Sequence, residues 1–247
     1  MADKVAWFSC GATSAVSCKL GLQKYPDLQI CYIETGSHHP DNLRFLHDCE
    51  KWFGKEIKIL RSAYKDVFDV IERTGFIHSA HYAPCTNKLK TDVRLQYEYE
   101  HDIDTYIWGF EKGAKEENRA FRMQQRYPKY KHEFPLIEAN LDKPACMELL
   151  AQAGIELPQM YKMGYHNNNC IGCIKGGMGY WNKIRKDFPE VFERMAKIER
   201  KIGHSCLKQY FLDELPKEAG RDEKSIEPQC SIFCGLINLE DNNASKN

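Results

Sequence analysis

VAWFSCGATS, residues 5–14, is the stretch of sequence that decides the fold. Four apolar residues predict a buried strand, and the small residues that follow end it. Ala15, Val16 and Leu20 then recur at helical spacing, so the small residues form a loop between a strand and a helix. In an open α/β sheet such a loop lies beyond the carboxyl end of a strand, where ligands bind.

Three further strands are predicted downstream, at residues 28–33, 57–60 and 105–108. Segments with helical periodicity separate them, which requires crossover connections and therefore a mainly parallel sheet. The predicted fold class is α/β, a mainly parallel twisted sheet with helices on both faces, plus a small, mostly helical, cysteine-bearing C-terminal extension.

The domain organisation follows from a change of pattern near residue 160, where apolar periodicity gives way to a polar, glycine-rich stretch. We expect a nucleotide-binding domain over 1–160, a cysteine-containing extension over 161–240 and a loose tail over 241–247.

Charge and hydropathy limit the possible environments of the protein. Lys plus Arg and Asp plus Glu number 35 each, so no overall field attracts nucleic acid or a membrane surface. The sequence contains neither a signal peptide nor an apolar run of about 20 residues, the length of a membrane span. We expect a soluble, cytoplasmic protein with no membrane partner, assembled as a homo-oligomer.

The loop at residues 9–14 has the composition of an anion site. Its amides and hydroxyls lie at a helix N-terminus, where unpaired N–H groups and the helix dipole favour negative charge. It lacks the Gly-Lys-Ser ending of a Walker loop, so a lysine for the phosphates must come from elsewhere. The alternative is a strand–helix turn whose small residues serve packing.

Several segments resemble, in correct order over roughly residues 5–175, the phosphoadenosine phosphosulfate (PAPS) reductase family of the PP-loop adenine-nucleotide alpha hydrolase superfamily. Residues 9–14 resemble the SGGxDS-type PP-loop. YIETG at 32–36, followed by HPDN at 39–42, is similar to the family's FIDTG-xxxPET segment. IWGF at 107–110 resembles the start of its GxRxxxxxxR region.

The resemblance implies an adenine nucleotide, either ATP or a sulfated nucleotide (PAPS or adenosine phosphosulfate), with Mg²⁺ as a further candidate cofactor. The implied nucleotide-binding residues are Ser9, Cys10, Gly11, Ala12, Thr13, Ser14, Glu34, Thr35, Gly36 and Gly109. This sequence departs from the family pattern in three of them: Cys10 replaces a glycine, Thr13 stands where many ATP pyrophosphatases have Asp, and Glu34 replaces Asp.

Eleven cysteines, an odd number, argue against a complete disulfide framework in a chain without an export signal. Some lie within apolar periodic segments, where a free cysteine usually behaves as a small buried hydrophobe; these are Cys18, Cys31, Cys49 and Cys146.

Cys170 and Cys173 form a C-x-x-C in a polar loop, the spacing of a metal or iron–sulfur ligand pair. The resemblance places Cys85 where cluster-bearing sulfonucleotide reductases have a Cys-Cys pair, and Cys206 is a candidate fourth ligand. A 4Fe-4S cluster is the first interpretation. Zinc, with Cys206 or His166 completing the site, a redox dithiol and a purely structural role are the alternatives.

The predicted catalytic residues are Cys230, Cys85 and Arg119. The resemblance relates Cys230, in QCSIFCG, to the mobile ECGLH motif whose cysteine attacks sulfur in PAPS reductases, although the Glu and His are missing. Arg119 belongs to a set of basic residues that could neutralise phosphates or lie on a solvated helix face. The aromatic-rich stretch at 127–134 fits nucleic-acid stacking or a loop of packed rings.

Three functions are compatible with these residues. The first is an ATP-dependent, iron–sulfur-containing sulfurtransferase that adenylylates a tRNA or DNA acceptor and inserts sulfur from a persulfide or sulfide donor. The second is a sulfonucleotide reductase that releases sulfite through Cys230, with a thioredoxin-type reductant. The third is a non-catalytic protein that binds adenine nucleotide.

Overall fold

Five strands form one sheet within residues 3–79 and 82–221, the part of the chain that this computed structural model describes. They are β1 (Asp3–Phe8), β2 (Gln29–Glu34), β3 (Lys58–Arg61), β4 (Ile103–Ile107) and β5 (Lys131–Glu133). The strand order is β3-β2-β1-β4-β5, and β1 pairs in parallel with β2 and β4, as β4 does with β5. The predicted parallel α/β sheet is confirmed.

The central strand β1 lies at the point where the chain reverses its direction of winding. Ala6 is opposite Ile30 of β2 on one side and Ile107 of β4 on the other. The chain first adds β2 and β3 to one edge, then returns to add β4 and β5 to the other. Ligands of open α/β sheets bind at such a switch point, beyond the carboxyl end of the strand.

The helices within the described residues cover most of the intervening chain. They are α1 (Ala12–Lys24), α2 (Asn42–Phe53), α3 (Val67–Thr74), α4 (Pro84–Thr86), α5 (Asp92–Glu100), α6 (Ala114–Arg126), α7 (Pro135–Glu138), α8 (Lys143–Gln152), α9 (Gln159–Lys162), α10 (Met178–Asp187) and α11 (Pro189–Ile202). A π-helical turn, Asn87–Thr91, joins α4 to α5, and a 3₁₀ turn, Leu212–Glu214, follows α11.

Helices cover both faces of the sheet, as predicted. Successive residues of a strand point to opposite faces. Phe8 stacks on Phe45 of α2, with ring centroids 6.1 Å apart, in a core that also contains residues of α1 and α8. Trp7, one position earlier, meets Tyr97 of α5 edge-on at 5.8 Å.

The fifth strand, β5, was not predicted from the sequence. Its three residues lie in the aromatic stretch at 127–134 and are too few to show strand alternation. Tyr130 packs edge-on against Tyr106, with centroids 4.9 Å apart, and Phe134 stacks on Phe110 at 5.7 Å. These rings pack within the protein, which favours a loop of packed rings over a surface that stacks on nucleic acid.

Two compact units divide the chain, and each is built from segments that are separate in the sequence. The sheet unit consists of Met1–Ile33, Pro40–Leu60 and Leu95–Lys162. The cysteine unit consists of Glu34–His39, Arg61–Arg94 and the chain from Met163 onward. The two earlier segments belong with the later one because they bond to it: Ile171 N donates to Ser37 O at 2.7 Å.

The four cysteines expected in the core are buried there. Cys18, Cys31, Cys49 and Cys146 are at most 1% exposed. Burial raises the pKa of the Cys31 thiol to about 11 and that of the Cys146 thiol to about 12. They are therefore protonated packing residues at neutral pH.

Among the described residues, no helix has both the length and the apolar character that a bilayer crossing requires.

Candidate functional site

The loop from Ser9 to Ser14 is organised around one hydroxyl group. Ser14 Oγ accepts hydrogen bonds from Ser9 N at 3.1 Å and Gly11 N at 3.3 Å, and donates to Gly11 O at 2.9 Å. Ser9 Oγ lies 3.1 Å from the same oxygen. The loop therefore closes on the first turn of α1, where Ala12 and Thr13 supply the N–H groups of a helix N-terminus.

Cys10 contributes to this loop through its backbone. Its φ is 56°, a left-handed conformation that glycine adopts readily, which accounts for the glycine at this position of the family pattern. Its side chain is fully buried and its thiol donates to Asn42 O at 3.7 Å, at the start of α2. A nucleotide contact by Cys10 would use its peptide group and not its sulfur.

Gly109, the residue after Trp108, touches the same helix start. A Cβ at Gly109 would lie 3.0 Å from Ser14 Cα and 3.2 Å from Ser14 N, so only glycine allows this approach. Ser17 Oγ also donates to Trp108 O at 2.8 Å. The structure thus brings Gly109 together with residues 9–14 in the sheet unit.

Arg119, predicted to be catalytic, is buried and already paired. Its Nη1 lies 2.7 Å from both oxygens of Glu116, and its guanidinium group packs 4.8 Å from the ring centre of Phe110. Such a pair is costly to break in a buried site. The catalytic role of Arg119 stays a prediction. In this structure the carboxylate of Glu116 balances the charge of its guanidinium group.

Lys143 is a cation that sequence reasoning missed. It is 7% exposed and faces Glu111, two residues after Gly109. Burial lowers the pKa of Lys143, partly offset by Glu111 and Glu116, and burial likewise raises the pKa of Glu111. No sequence signal distinguishes it from an exposed lysine in the first turn of a helix.

The segment Glu34-Thr35-Gly36 follows β2 in the cysteine unit. Gly36 has φ +69°, and a Cβ there would lie 1.8 Å from Lys65 O, so no other residue fits. Gly36 N donates to Glu34 Oε1 at 2.7 Å. The carboxylate that replaces the family's Asp thus bonds its own turn, which its longer side chain allows.

A buried tyrosine fixes the Cys170–Cys173 turn. The hydroxyl of Tyr180 donates to Cys170 O at 3.0 Å and accepts from Cys173 N at 2.9 Å. Gly172, between the cysteines, has φ +75°, and a Cβ there would lie 2.7 Å from Val191 Cγ1. Long-range packing therefore sets the conformation of the turn.

Thr35 joins the predicted nucleotide segment to this cysteine turn. Its Oγ1 lies 3.4 Å from Cys170 Sγ, and both residues are buried. The contact lies wholly within the cysteine unit. Two of the predicted site residues, separated by 135 positions in the sequence, are thus in direct contact.

Cys85 and Cys206 form a second group of thiols in the cysteine unit. Cys206 N donates to Glu199 Oε1 at 2.6 Å, and Glu199 is fully buried. Burial, with the neighbouring Glu199 and Cys85, raises the pKa of the Cys206 thiol well above its ordinary value. Without a bound cation, the Cys206 thiol is therefore protonated at neutral pH.

The described residues do not fit a metal cluster. No three His, Cys, Asp or Glu side chains among residues 3–79 and 82–221 are grouped closely enough to hold a metal ion. The structure therefore does not bring Cys85, Cys170, Cys173 and Cys206 into one ligand set, and the predicted 4Fe-4S or zinc site stays a prediction. Cys230 and Cys234 lie outside the described residues.

A profile of the phosphoadenosine phosphosulfate reductase domain matches residues 4–178. The chain belongs to this family. The match includes the Ser9–Ser14 loop, Thr35, Cys85 and the Cys170–Cys173 pair, while Cys206 and Cys230 lie beyond it. The resemblance deduced from the sequence is confirmed.

Two curated relatives of this PAPS reductase-family chain are uncharacterized proteins of Methanocaldococcus jannaschii. One is 22% identical over 202 residues, which are 79% of this chain and 41% of the relative. The other is 20% identical over 201 residues, which are 80% of this chain and 47% of the relative. The chain thus spans less than half the length of the curated relatives it matches.

The fold is also that of solved structures. The PAPS reductase of Candida auris, in a phosphate complex, superposes with a TM-score of 0.52 and 12% identity, over 69% of this chain and 82% of that chain. The U34-tRNA thiolase NcsA of Methanococcus maripaludis, with its 4Fe-4S cluster, gives a TM-score of only 0.40 and 16% identity, over 91% and 83% of the two chains. The first match shows a shared fold, and the second score is too low to do so.

Proposed function

We propose that this protein is an ATP-dependent sulfurtransferase that activates an oxygen of a nucleic-acid acceptor and replaces it with sulfur. The contact between Thr35 Oγ1 and Cys170 Sγ, at 3.4 Å, carries the proposal. It joins a residue of the predicted nucleotide segment to a cysteine pair that has no part in the hydrophobic core cluster of the sheet.

The Ser9–Ser14 loop would hold the phosphates of ATP. The first turn of α1 supplies N–H donors and the positive end of a helix dipole. These groups would stabilise the negative charge that develops on pyrophosphate as the acceptor oxygen attacks the α-phosphorus. The products of this step are adenylylated acceptor and pyrophosphate.

The cysteine pair would deliver the sulfur. A persulfide donor leaves a persulfide on Cys170, and its terminal sulfur attacks the activated carbon and displaces AMP. The Cys173 thiolate then attacks Cys170 Sγ, which releases the thiolated acceptor and leaves a Cys170–Cys173 disulfide. An external thiol reductant restores the pair. The scheme uses only the two cysteines, the persulfide donor and the reductant.

The family match itself favours a second candidate, a sulfonucleotide reductase acting on PAPS or adenosine phosphosulfate. In that case a cysteine thiolate attacks the sulfur of the nucleotide and displaces the adenosine phosphate, which leaves an S-sulfocysteine. A thiol of a thioredoxin-type partner then attacks that cysteine sulfur and releases sulfite, and the second thiol of the partner frees the cysteine as the partner becomes a disulfide. Cys230 is the predicted nucleophile of this reaction.

Two assays, run with a persulfide donor and a thiol reductant, test the first proposal. One measures pyrophosphate release from ATP, and the other measures incorporation of labelled sulfur into added tRNA or DNA. Cys170→Ser should abolish sulfur incorporation and preserve pyrophosphate release, while Cys49→Ala, a buried core thiol, should affect neither. The second candidate would replace the first if two results were obtained together. The acceptor would cause no pyrophosphate release, and the protein would release sulfite from PAPS in a reaction that Cys230→Ser abolishes.

A further inference from the structure

Tyr161, a residue that the sequence did not single out, lies beside the candidate phosphate loop. A Cβ placed on Gly11 would be 3.3 Å from Tyr161 Oη and 3.5 Å from Ser9 Oγ. The phenolic hydroxyl therefore occupies the space next to Gly11 that the missing side chain leaves open. Both residues belong to the sheet unit.

The first turn of α2 determines the position of this tyrosine. Asp41 Oδ2 accepts from Gln159 N at 2.8 Å, at the start of α9, the short helix that carries Tyr161. Arg44 donates to Glu156 O and Leu157 O, both at 3.1 Å. The segment before Tyr161 is thus tied to α2 by three hydrogen bonds.

Asp41 and Arg44 also bind each other. Arg44 Nε lies 2.6 Å from Asp41 Oδ1 and Arg44 Nη2 lies 2.8 Å from Asp41 Oδ2. Such a two-point pair is geometrically rigid, so it fixes the groups that each partner holds. The hydrogen bond that Arg44 donates to Asp41 raises the pKa of Arg44, although burial opposes the shift, so the guanidinium stays charged.

The same turn of α2 also holds the loop, because Cys10 Sγ donates to Asn42 O at 3.7 Å. One element therefore sets the distance between the loop and Tyr161. Part of the loop is already engaged, since Ser9 N and Gly11 N bond to Ser14 Oγ and the Ser14 hydrogen goes to Gly11 O, so Tyr161 would add a donor to the N–H groups of the first turn of α1. A neutral phenol donates to a phosphate oxygen without a charge of its own.

We propose that Tyr161 is a phosphate-binding residue of the nucleotide site, donating its phenolic hydrogen to a phosphate oxygen, and that the Asp41–Arg44 pair is its positioning device. The inference rests on the proposed binding of ATP at the Ser9–Ser14 loop. It adds a ligand contact from a segment about 150 residues away along the chain.

Calorimetric titration with ATP and with adenosine tests this assignment. Tyr161→Phe should weaken ATP binding about tenfold, as expected for loss of a hydrogen bond to a charged group, and change adenosine binding less than twofold. Tyr99→Phe, at an 89% exposed tyrosine of the same unit, is the matched control and should bind both as the wild type does.

The positioning role has its own readout. Arg44→Gln should weaken ATP binding severalfold in the wild-type background and leave it unchanged in the Tyr161→Phe background, because the two changes remove one interaction. Circular dichroism and the melting temperature of each variant establish that it is folded.

Two results would overturn the inference in distinguishable ways. A folded Tyr161→Phe variant with wild-type affinity for ATP, or equal losses for ATP and adenosine, would overturn it alone. A wild-type protein that binds neither ATP nor PAPS would overturn the proposed function and this inference with it.

Discussion

The Ser9–Ser14 loop and the cysteine turn are built in opposite ways. The Ser9–Ser14 loop closes through Ser14, whose partners Ser9 and Gly11 lie within five positions of it. The cysteine turn depends on Ser37, which accepts from Ile171, and on contacts between Gly172 and Val191. A loop of the first kind is specified by a short stretch of sequence, whereas one of the second kind forms only after distant segments have packed.

The largest loss of stability should come from a substitution of Gly36, which packs against Lys65 in the cysteine unit. Gly36→Ala adds a Cβ 1.8 Å from Lys65 O at a φ of +69°, so it should lower the free energy of unfolding by at least about 3 kcal/mol. Chemical denaturation measures it.

Gly75→Ala is the control for Gly36→Ala, with a φ of +63° and open space around its Cβ position. It should cost only about 1 kcal/mol, the conformational penalty alone. If the two variants lost equal free energy of unfolding, this would contradict the close packing of Gly36 against Lys65.

The corresponding test in the sheet unit is Ser14→Ala, which removes the acceptor shared by Ser9 N and Gly11 N. We expect a loss of about 2 kcal/mol in the free energy of unfolding, because one buried and one partly buried donor lose their partner, together with weaker ATP binding. Ser17→Ala, which removes one bond to Trp108 O, should cost about 1 kcal/mol and leave ATP binding unchanged. If the two variants bind ATP equally well, the loop is not organised by Ser14.

Tyr180→Phe tests whether one hydroxyl holds the cysteine turn. Loss of its bonds to Cys170 O and Cys173 N should lower the free energy of unfolding by about 1.5 kcal/mol and increase the rate of thiol alkylation severalfold. Tyr165→Phe, which loses a bond to Asp187 in the same unit, should lower stability without changing the alkylation rate. Alkylation at the wild-type rate in Tyr180→Phe would show that other contacts hold the turn.

The smallest effect should come from Glu133, in the edge strand β5 of the sheet. Burial opposes the shift, but hydrogen bonds from Lys131, Lys24 and Tyr25 lower the pKa of Glu133 to about 2 from 4.5. A carboxylate with a lowered folded-state pKa stabilises the protein above its unfolded pKa, so this contribution should disappear as the pH falls from 4.5 towards 2.

Glu133→Gln should therefore lower stability at pH 7 by about 1 kcal/mol, less than the full shift implies because the lysines are exposed and screened. The variant should also lose less stability than the wild type as the pH falls from 4.5 towards 2. Asp27→Asn removes a carboxylate whose pKa is also lowered, by its hydrogen bond from Lys4, but the pair is exposed and screened, so this variant should flatten the slope of stability with pH less than Glu133→Gln does. An unchanged slope in Glu133→Gln would refute the role assigned to Glu133.

Sequence reasoning succeeded where the signal is local. Strands β1 to β4, helix α1 and the helical segments between the strands were predicted, because apolar periodicity is a property of ten to twenty neighbouring positions. Sequence reasoning missed β5, which is only three residues long.

By itself, the sequence determined the parallel α/β sheet, the family and the place of the loop after β1, since each of these is encoded by consecutive residues. Only the tertiary structure decided that the Cys10 thiol turns inward, that Thr35 meets Cys170 and that Tyr161 lies beside Gly11. The physical reason is that these contacts join groups from 32 to about 150 positions apart, through the packing of helices and loops that no local pattern specifies.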